Sequence, residues 1–376
     1  LGAGSLALPR SGLLVFWNIL AKSLLGASAV ILLTSTTPFP ALLGGLAWLR
    51  VPRLFIMVLS FAYRYVFVLL DEAQRMKRAR DARCYAGQWL WQTQVVGQML
   101  GTLFLRSYER GERVYLAMLA RGYETGRECG AGSQTALQDG RPQADWAIEV
   151  QRLSYSYPDG TCALREVSFK VARDERVALI GANGAGKSTL LLHLNGILPS
   201  SAVAVAGLPV TGANLKSVRR KVGLVFQNPD DQLFCPTVFE DVAFGPRNLH
   251  LSAEEVEGRV REGLRSVGME GAGKRSAFHL SLGQKRRVAL ATVLALRPEI
   301  LVLDEPTSHL DPRGRRELAA LLKNIGGTLL VATHDLDLAI ELCSRAIVLE
   351  EGQVLVEGAA GQLLRDKDFL LAHGLA

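Results

Sequence analysis

The glycine-rich stretch Gly181-Ala-Asn-Gly-Ala-Gly-Lys-Ser-Thr189 has residue types and a spacing that suit phosphate binding. It fits the pattern G-x-x-x-x-G-K-[ST] and lies between the apolar run Arg176–Ile180 and the helix-permissive run Leu190–Leu194. Glycines let backbone N–H groups turn toward phosphate oxygens at a helix start. A turn that only links a strand to a helix is the alternative. We expect every residue of the loop to bind nucleotide: Gly181, Ala182, Asn183, Gly184, Ala185, Gly186, Lys187, Ser188 and Thr189.

Within this loop, the Lys187 ammonium would reach the β- and γ-phosphates of ATP, and the Ser188 hydroxyl would ligate Mg²⁺. Two carboxylates, Asp304 and Glu305, follow the apolar run Ile300–Leu303. The carboxyl ends of parallel strands meet at one edge of a sheet, so we expect both acids to face the loop. Asp304 would hold Mg²⁺ through its water shell, and Glu305 would act as general base toward the attacking water.

From Ile148 onward, short β-type runs alternate with helical runs, which predicts an α/β P-loop NTPase domain with an antiparallel edge. The predicted strands are Val150–Tyr157, Val167–Val171, Arg176–Ile180, Leu224–Phe226, Leu301–Leu303, Thr328–Ala332 and Ala346–Leu349. Predicted helices cover Glu254–Val267 and Gln284–Leu296.

The N-terminal third holds the excess of apolar residues in a chain of 376 residues that is 49% hydrophobic. Leu13–Leu33 and Leu54–Leu70 approach the length of membrane-spanning helices. The turn-forming segment Thr34–Pro40 and a short apolar helix, Ala41–Leu49, separate them. The second run contains Arg64, whose charge must face protein, water or an interface. We therefore predict an α-helical membrane segment ahead of the α/β domain; a pair of buried core helices is the alternative.

Basic residues crowd the segment Asp71–Arg83, directly after these apolar runs. The positive-inside rule places this segment in the cytoplasm, which accounts for much of the net charge of +7 without nucleic acid as a partner. Val95–Leu105 and Ser107–Ala120 predict cytoplasmic helices along the membrane face; a third span over the first of them is less favoured. Five scattered cysteines without a CxxC pair indicate a reducing compartment and neither a zinc site nor a disulfide framework.

Further motifs follow the phosphate-binding loop in a fixed order: Leu280-Ser-Leu-Gly-Gln284, the Leu-Asp-Glu strand end and Thr333-His-Asp335. With these motifs, the chain from about Ala147 to Gly358 resembles the ATPases of ABC transporters. The resemblance implies that Ser281, Gly283 and Gln284 bind ATP held by a second ATPase subunit, identical or different. The usual LSGGQ motif has glycine at the position of Leu282, but the N–H groups at the helix start remain available.

The same resemblance implies roles for three more residues. Gln227 would contact the metal and sense a transmembrane partner, His334 would contact the γ-phosphate, and Tyr157 would stack on adenine, a contact for which tyrosine suffices. Taken alone, His334 would more often be a surface or capping histidine. The segment Ser308–Asp311 corresponds to the D-loop of these ATPases.

Two motifs in the N-terminal third, Arg80–Tyr85 and Met118–Tyr123, resemble the paired Ala-Arg-Gly coupling motifs of energy-coupling-factor T components; the first departs at Cys84. Asn228–Phe234 is similar to the cobalt-type ATPase of that system. The resemblance implies a fusion of the two components. It divides the chain into a partial T component (1–125), a Gly-rich linker (126–146) and an ABC ATPase domain (147–376). Spans expected before Leu1 and after Tyr123 are missing from the T part.

In such a fusion, Arg83 and Arg121 lie at the ends of coupling helices, and we expect them against the ATPase groove near Asp230 and Asp231. Contact with anionic lipid is the alternative for the basic loops.

The chain would be an ATP-hydrolysing component of a cobalt importer, with nickel or vitamin import as close variants. Its partners would be a second ATPase subunit, a substrate-binding membrane subunit and the lipid bilayer of the cell membrane, with the ATPase domain on the cytoplasmic side. A soluble ABC-type ATPase acting on nucleic acid or ribosomes, or as a nucleotide switch, is the rival class.

Overall fold

The computed structural model describes residues 10–37, 39–49, 51–52, scattered positions between 55 and 74, 89–123 and 146–375. The chain divides into two compact units, Leu1–Val68 and Leu69–Ala376. Arg64, Arg83 and the predicted linker up to residue 145 lie outside the described residues.

The first unit contains helices α1 (Arg10–Thr36) and α2 (Phe39–Trp48). Helix α1 includes Leu14–Leu33, a stretch of 20 residues long and apolar enough to cross a membrane, none of it buried. No other helix in the described part of the chain meets these criteria, and the predicted span Leu54–Leu70 falls partly outside that part. Helix α1 runs past the predicted turn start to Thr36, whose hydroxyl donates to the Leu32 carbonyl (2.7 Å) inside the helix.

Helix α3 (Trp89–Ala120) is a single element of 32 residues in the second unit. It joins the two predicted runs Val95–Leu105 and Ser107–Ala120, because Arg106 between them favours helix and no proline interrupts. The helix ends where Gly122 adopts a left-handed φ of 78° and the Tyr123 N–H donates to the Met118 carbonyl (3.1 Å). This ending leaves Arg121 at the tip of the helix.

The rest of the second unit is an α/β domain, which confirms the predicted fold class. A six-stranded sheet has the order β10-β9-β3-β8-β7-β6, with only β10 antiparallel to its neighbour, and an antiparallel four-stranded sheet has the order β2-β1-β4-β5. The strands are β1 (Trp146–Ser156), β2 (Cys162–Ala172), β3 (Arg176–Ile180), β4 (Ser200–Val205), β5 (Leu208–Val210), β6 (Val222–Val225), β7 (Ile300–Asp304), β8 (Thr328–Ala332), β9 (Arg345–Glu350) and β10 (Gln353–Ala359).

Helices connect the strands and cover the sheets. They are α4 (Lys187–Leu194), α5 (Leu215–Lys221), α6 (Pro229–Gln232), α7 (Val238–Asn248), α8 (Ala253–Ser266), α9 (Leu282–Leu294), α10 (Pro312–Asn324), α11 (Leu336–Leu342), α12 (Ala360–Leu363) and α13 (Lys367–Ala372), with 3-10 turns at Gly212–Asn214, Glu270–Ala272 and Ala277–His279. Most predicted strands agree with these bounds within two residues.

Two hydrophobic clusters lie on opposite faces of the six-stranded sheet. Alternate residues of its buried strands contribute to different clusters: Leu179 and Val302 to one, Ile180 and Leu303 to the other. Burial on both faces explains why these strands are continuous apolar runs in the sequence. Strands β3, β8, β7 and β6 run parallel, so the loops after them emerge at one edge of the sheet.

Candidate functional site

The loop between β3 and α4 depends on glycine at two positions. A Cβ on Gly181 would lie 2.4 Å from the Leu349 carbonyl oxygen, and a Cβ on Gly186 would lie 2.5 Å from the Ala163 carbonyl oxygen. Gly186 also caps helix α4 with a left-handed φ of 98°. The loop can hold this conformation, with its backbone N–H groups at the start of a helix, only with glycine at these points.

Lys187 is buried beneath this loop, with 6% of its surface exposed. Its ammonium donates to the carbonyls of Gly181 (2.7 Å) and Ala182 (3.1 Å) and lies 3.9 Å from Glu305 Oε1. Burial lowers the pKa of Lys187, and the carboxylates of Glu305 and Asp304 oppose that shift. At this place in the loop, phosphate oxygens could replace the carbonyls as acceptors of the ammonium.

Asp304 and Glu305 lie at the end of β7 and are both buried. Burial raises the pKa of Asp304, and a hydrogen bond with Ser188 and the charge of Lys187 oppose it. Within the described chain, Asp304 Oδ1 and Glu305 Oε1 are buried without a hydrogen-bond partner. Buried carboxylate oxygens left open in this way suit a hydrated divalent cation, so the residues present fit Mg²⁺.

Glu305 is held in a fixed orientation. Its φ of 45° is left-handed, and its N–H donates to the Ala332 carbonyl (2.8 Å). Its second oxygen, Oε2, lies 2.8 Å from His334 Nδ1 and 3.4 Å from the Thr333 hydroxyl. The structure thus brings the predicted residues Lys187, Asp304, Glu305 and His334 together at one sheet edge.

Arg286 of helix α9 supports the same site, and sequence reasoning gave it no role. Its guanidinium donates to the Glu305 carbonyl (3.0 Å) and to the Ser308 carbonyl (2.9 Å) and hydroxyl (2.7 Å). Burial lowers the pKa of Arg286 to about 10. The sequence shows Lys285, Arg286 and Arg287 in a row, and no local pattern separates the buried arginine from its partly buried neighbours.

Helix α9 begins at Leu282, two residues before the predicted start. Ser281 caps it: the Ser281 hydroxyl accepts from the Gln284 N–H (3.3 Å), and the Gln284 side chain accepts from the Ser281 N–H (3.1 Å). The Ser-x-x-Gln spacing is a capping box, a signal that could have located this start. A cleft of about 880 Å³ is lined by Ser281, Gly283, Gln284 and the D-loop residues His309 and Asp311.

Tyr157 lies directly after β1 and contacts the phosphate-binding loop's helix. Its hydroxyl is 3.0 Å from the hydroxyl of Thr189 on α4. The ring therefore stands beside the loop, where a base attached to bound phosphates could stack on it.

Gln227 is exposed in the bend after β6, whose last residue, Val225, pairs with Leu303 of β7. A second glutamine, Gln232, was not singled out by sequence reasoning and is buried. Its side chain accepts from the Phe226 N–H (3.1 Å) and donates to Thr292 on α9 (2.8 Å). Gln232 thus connects the Gln227 bend to helix α9, which Ser281 caps.

Arg121 lies in a groove formed by α6, Phe234 and α7, with 2% of its surface exposed. Its guanidinium donates to the carbonyls of Gln232 (2.5 Å) and Asp241 (3.2 Å) and stacks 4.4 Å from the Phe234 ring centre. Burial lowers the pKa of Arg121 and the charge of Asp241 opposes this, but a guanidinium stays charged in proteins.

Asp230 and Asp231, the two acids near which Arg121 was expected, pair with other cations. Asp231 pairs with Arg113 of α3 (3.0 Å), and Asp230 pairs with Lys285 of α9 (2.8 Å). Backbone carbonyls and aromatic faces, which no side-chain charge pattern reveals, hold Arg121 instead.

Comparison with known proteins divides the chain in the same order. Residues 1–130 match a family described as cobalt transport protein, CbiQ, and residues 164–308 match the ABC transporter family. An energy-coupling factor transporter ATP-binding protein from Methanothermobacter thermautotrophicus is 51% identical over 230 residues, which cover 59% of this chain and 74% of the relative. The chain belongs to the energy-coupling factor family of ABC transporters. It fuses a T component to an ATP-binding component.

Solved structures agree with this energy-coupling factor assignment. A cbiO1 protein from Clostridium perfringens, part of the transporter complex cbiONQ, is 38% identical with a TM-score of 0.54 over 61% of this chain and 95% of its own. A dimeric ATP-binding cassette with ADP and phosphate bound is 29% identical with a TM-score of 0.52 over 57% of this chain and 98% of its own. The energy-coupling factor chain is therefore an ABC ATPase that binds and hydrolyses ATP.

Proposed function

We propose that this chain couples ATP hydrolysis to the import of a metal ion, cobalt first. The observation that carries the proposal is the burial of Arg121, at the end of a helix in the cobalt transport part, against the Gln232 carbonyl of the ATPase domain. Gln232 in turn bonds to the segment that holds Gln227. A helix of the transport part thus contacts the ATPase domain next to Gln227, the residue proposed to contact the metal and to sense the transmembrane partner.

Two comparisons support cobalt as the substrate: the description of the family matched by residues 1–130, and the membership of a similar protein in a cbiONQ complex. Among the described residues, no group of three or more His, Cys, Asp or Glu could hold a metal ion. We therefore propose that ion recognition belongs to a separate substrate-binding membrane subunit. Nickel and vitamin import through the same architecture are the variants that uptake measurements must separate.

In the ATPase site, we assign binding of the β- and γ-phosphates to the loop N–H groups and to Lys187. Ser188 and Asp304, with Gln227, would hold Mg²⁺, which neutralises phosphate charge when bound. Glu305 would accept the proton of the attacking water through its open oxygen, Oε1. His334 fixes the other oxygen, Oε2, and its exposed ring would face the γ-phosphate.

A second ATPase subunit completes the proposed site. The cleft at Ser281, Gly283 and Gln284 would take ATP bound by that subunit, and Tyr157 would stack on the adenine of the chain's own ATP. Two copies of the chain, or one copy with a paralogue, would form the dimer. Dimer closure would move α9, and through Gln232 the groove that holds Arg121.

For the transport part, we propose association with the cell membrane through α1, with the ATPase domain on the cytoplasmic side. Helix α1 has the length and the exposed apolar surface that a bilayer requires. Arg83 is proposed to act like Arg121, as the tip of a second coupling helix. Binding to nucleic acid forms no part of this function.

The test is uptake of radioactive cobalt by cells that express the chain with its neighbouring membrane subunits. We expect ATP-dependent uptake, competed by nickel more weakly than by cobalt, and its loss in Glu305→Gln. Glu299→Gln is the matched control, because Glu299 lies on the same segment but is exposed and pairs with Lys221. Uptake that survives Glu305→Gln, or ATPase activity without uptake of any tested ion, would contradict the proposal.

A further inference from the structure

Three side chains form a continuous series of contacts beside the phosphate-binding loop. The rings of Tyr157 and Tyr155 meet edge to face, with centres 5.1 Å apart at 84°. Tyr155 and His193 of α4 meet in the same way, with centres 4.9 Å apart at 77°. Together with the Tyr157–Thr189 hydroxyl contact (3.0 Å), these contacts join β1 to α4 at two points.

The sequence spacing explains why both contacts form at once. Tyr155 and Tyr157 are two residues apart on an extended chain, so they lie on one face with a separation of ~6.7 Å. Thr189 and His193 are four residues apart on a helix, so they also lie on one face, ~6 Å apart. A strand pair and a helix pair with matching separation can meet side chain to side chain.

His193 contributes a neutral ring to this series. It is 2% exposed, and burial lowers the pKa of His193, so the imidazole carries no charge near neutral pH. Burial also raises the pKa of Tyr155, which keeps its phenol protonated. Since both rings are neutral, edge-to-face packing holds them, and the contact fixes the ring angle of Tyr155. Tyr155 then limits the angles open to Tyr157.

We propose that Tyr155 and His193 are positioning residues for adenine, holding Tyr157 at the angle that stacks on the base. The proposal rests on the role of Tyr157 given under the proposed function. Neither Tyr155 nor His193 needs to touch ATP. Because His193 lies on the helix that starts at Lys187, the same contacts set the distance between the base platform and the phosphate site.

The test measures equilibrium binding of ATP, GTP and inorganic tripolyphosphate to the purified full-length chain by calorimetry. Tyr155→Leu removes the ring and keeps an apolar side chain, and Tyr155→Phe is the conservative control. We expect Tyr155→Leu to weaken ATP binding roughly 2- to 12-fold, the range for one edge-to-face pair. Tripolyphosphate binding stays unchanged, GTP binding weakens as ATP binding does because stacking tolerates either base, and Tyr155→Phe restores wild-type binding.

His193→Leu removes the same ring contact from the helix side and should change ATP and tripolyphosphate binding in the same way. The test therefore does not depend on the folding of one variant. Equal weakening of ATP and tripolyphosphate, or no weakening of either, would overturn the positioning role. Tyr157→Ala distinguishes a failure of the proposed role of Tyr157 from a failure of the positioning role of Tyr155 and His193. If it leaves ATP binding unchanged, the assignment of Tyr157 fails; if it weakens ATP binding while Tyr155→Leu and His193→Leu do not, only the present inference fails.

Discussion

Two buried cations in the second unit, Arg121 and Lys187, hold backbone carbonyls in different surroundings. Arg121 is enclosed by carbonyls of Ala117, Gln232 and Asp241 and by two aromatic rings. Lys187 also donates to two carbonyls, but it faces carboxylates with buried oxygens that have no hydrogen-bond partner in the described chain. Each nitrogen of the Arg121 guanidinium has an acceptor, whereas the carboxylates that face Lys187 have open oxygens.

The difference separates a structural contact from a reactive one. Buried polar atoms are normally paired, and leaving one open costs about 1–3 kcal/mol. Asp304 and Glu305 carry this cost at the sheet edge, and a ligand that fills the open positions recovers it. The Arg121 guanidinium leaves no open position for a ligand. Its role is therefore to hold helix α3 against the ATPase domain.

The largest expected effect tests the open site. Lys187→Met keeps the side chain's length but removes the charge that phosphate requires, so we expect ATPase activity to fall by about 100-fold or more. The free energy of unfolding without nucleotide should fall by less than when the Arg121 guanidinium is removed, because Lys187 donates to two carbonyls, whereas Arg121 donates to three and stacks on two aromatic rings. Steady-state phosphate release and urea titration measure the two quantities.

Lys323→Met is the control for that experiment, since Lys323 is half exposed and pairs with Glu341, away from the phosphate-binding loop. Activity retained in Lys187→Met would show that the open carboxylates, not the lysine, define the site. A large loss of stability would show that the two cations are alike after all.

The next effect tests the closed site. Arg121→Met leaves the carbonyls of Gln232 and Asp241 without their donor, and we expect the free energy of unfolding to fall by about 2–4 kcal/mol. ATPase activity should persist while transport is lost. Arg121→Lys should recover part of the stability, because lysine keeps the charge but lacks the planar fork.

Arg261→Met is the matched control, because Arg261 is exposed and pairs within one helix with Glu257. Protease sensitivity at the end of α3 reports whether the helix has left the groove. Uptake that stays coupled in Arg121→Met would remove the basis of the coupling proposal.

A smaller effect concerns Asp231, the acid that forms an ion pair with Arg113 of helix α3. Burial raises the pKa of Asp231, and Arg113 and Arg110 oppose the shift. Arg113→Gln removes one opposing charge, so the pKa of Asp231 rises further. A raised carboxyl pKa gives stability that is full below the unfolded value and is lost as pH rises through the folded value. We therefore expect a loss of about 1 kcal/mol that is larger at high pH.

Urea titration at acidic and alkaline pH measures this difference. Lys285→Gln is the comparison variant, because its partner Asp230 is more exposed. Arg113→Gln should show the stronger pH dependence of the two. A loss that does not vary with pH would mean that packing, not charge, accounts for the contact.

The surroundings of Lys187 could be predicted from the sequence to a greater extent than those of Arg121. The phosphate-binding loop and the strand ending in Asp304 and Glu305 follow from glycine spacing and apolar runs, which are local in the sequence. The acceptors of Arg121 are carbonyls, which every residue has, so side-chain type could not identify them. Gln232 and Arg286 were missed for the same reason: their partners are brought together only by the fold.

The smallest effect concerns a third buried basic residue, His193, which stays neutral where Arg121 and Lys187 stay charged. Burial lowers the pKa of His193 below its unfolded value of about 6.5. A depressed pKa gives stability that is full above the unfolded value and is lost as pH falls through the folded value.

His193→Phe keeps a ring and cannot take up this proton. The stability of this variant relative to wild type should therefore rise as the pH falls from about 7 to about 5, by less than about 1 kcal/mol. Urea titrations of the two proteins at matched pH measure the difference, from which the shared titration of the carboxylates cancels. A constant difference over this range would mean that His193 takes up no proton on unfolding. In that case His193 would have the same pKa in the fold as in the unfolded chain, and burial would not be what keeps the imidazole neutral beside the charged Arg121 and Lys187.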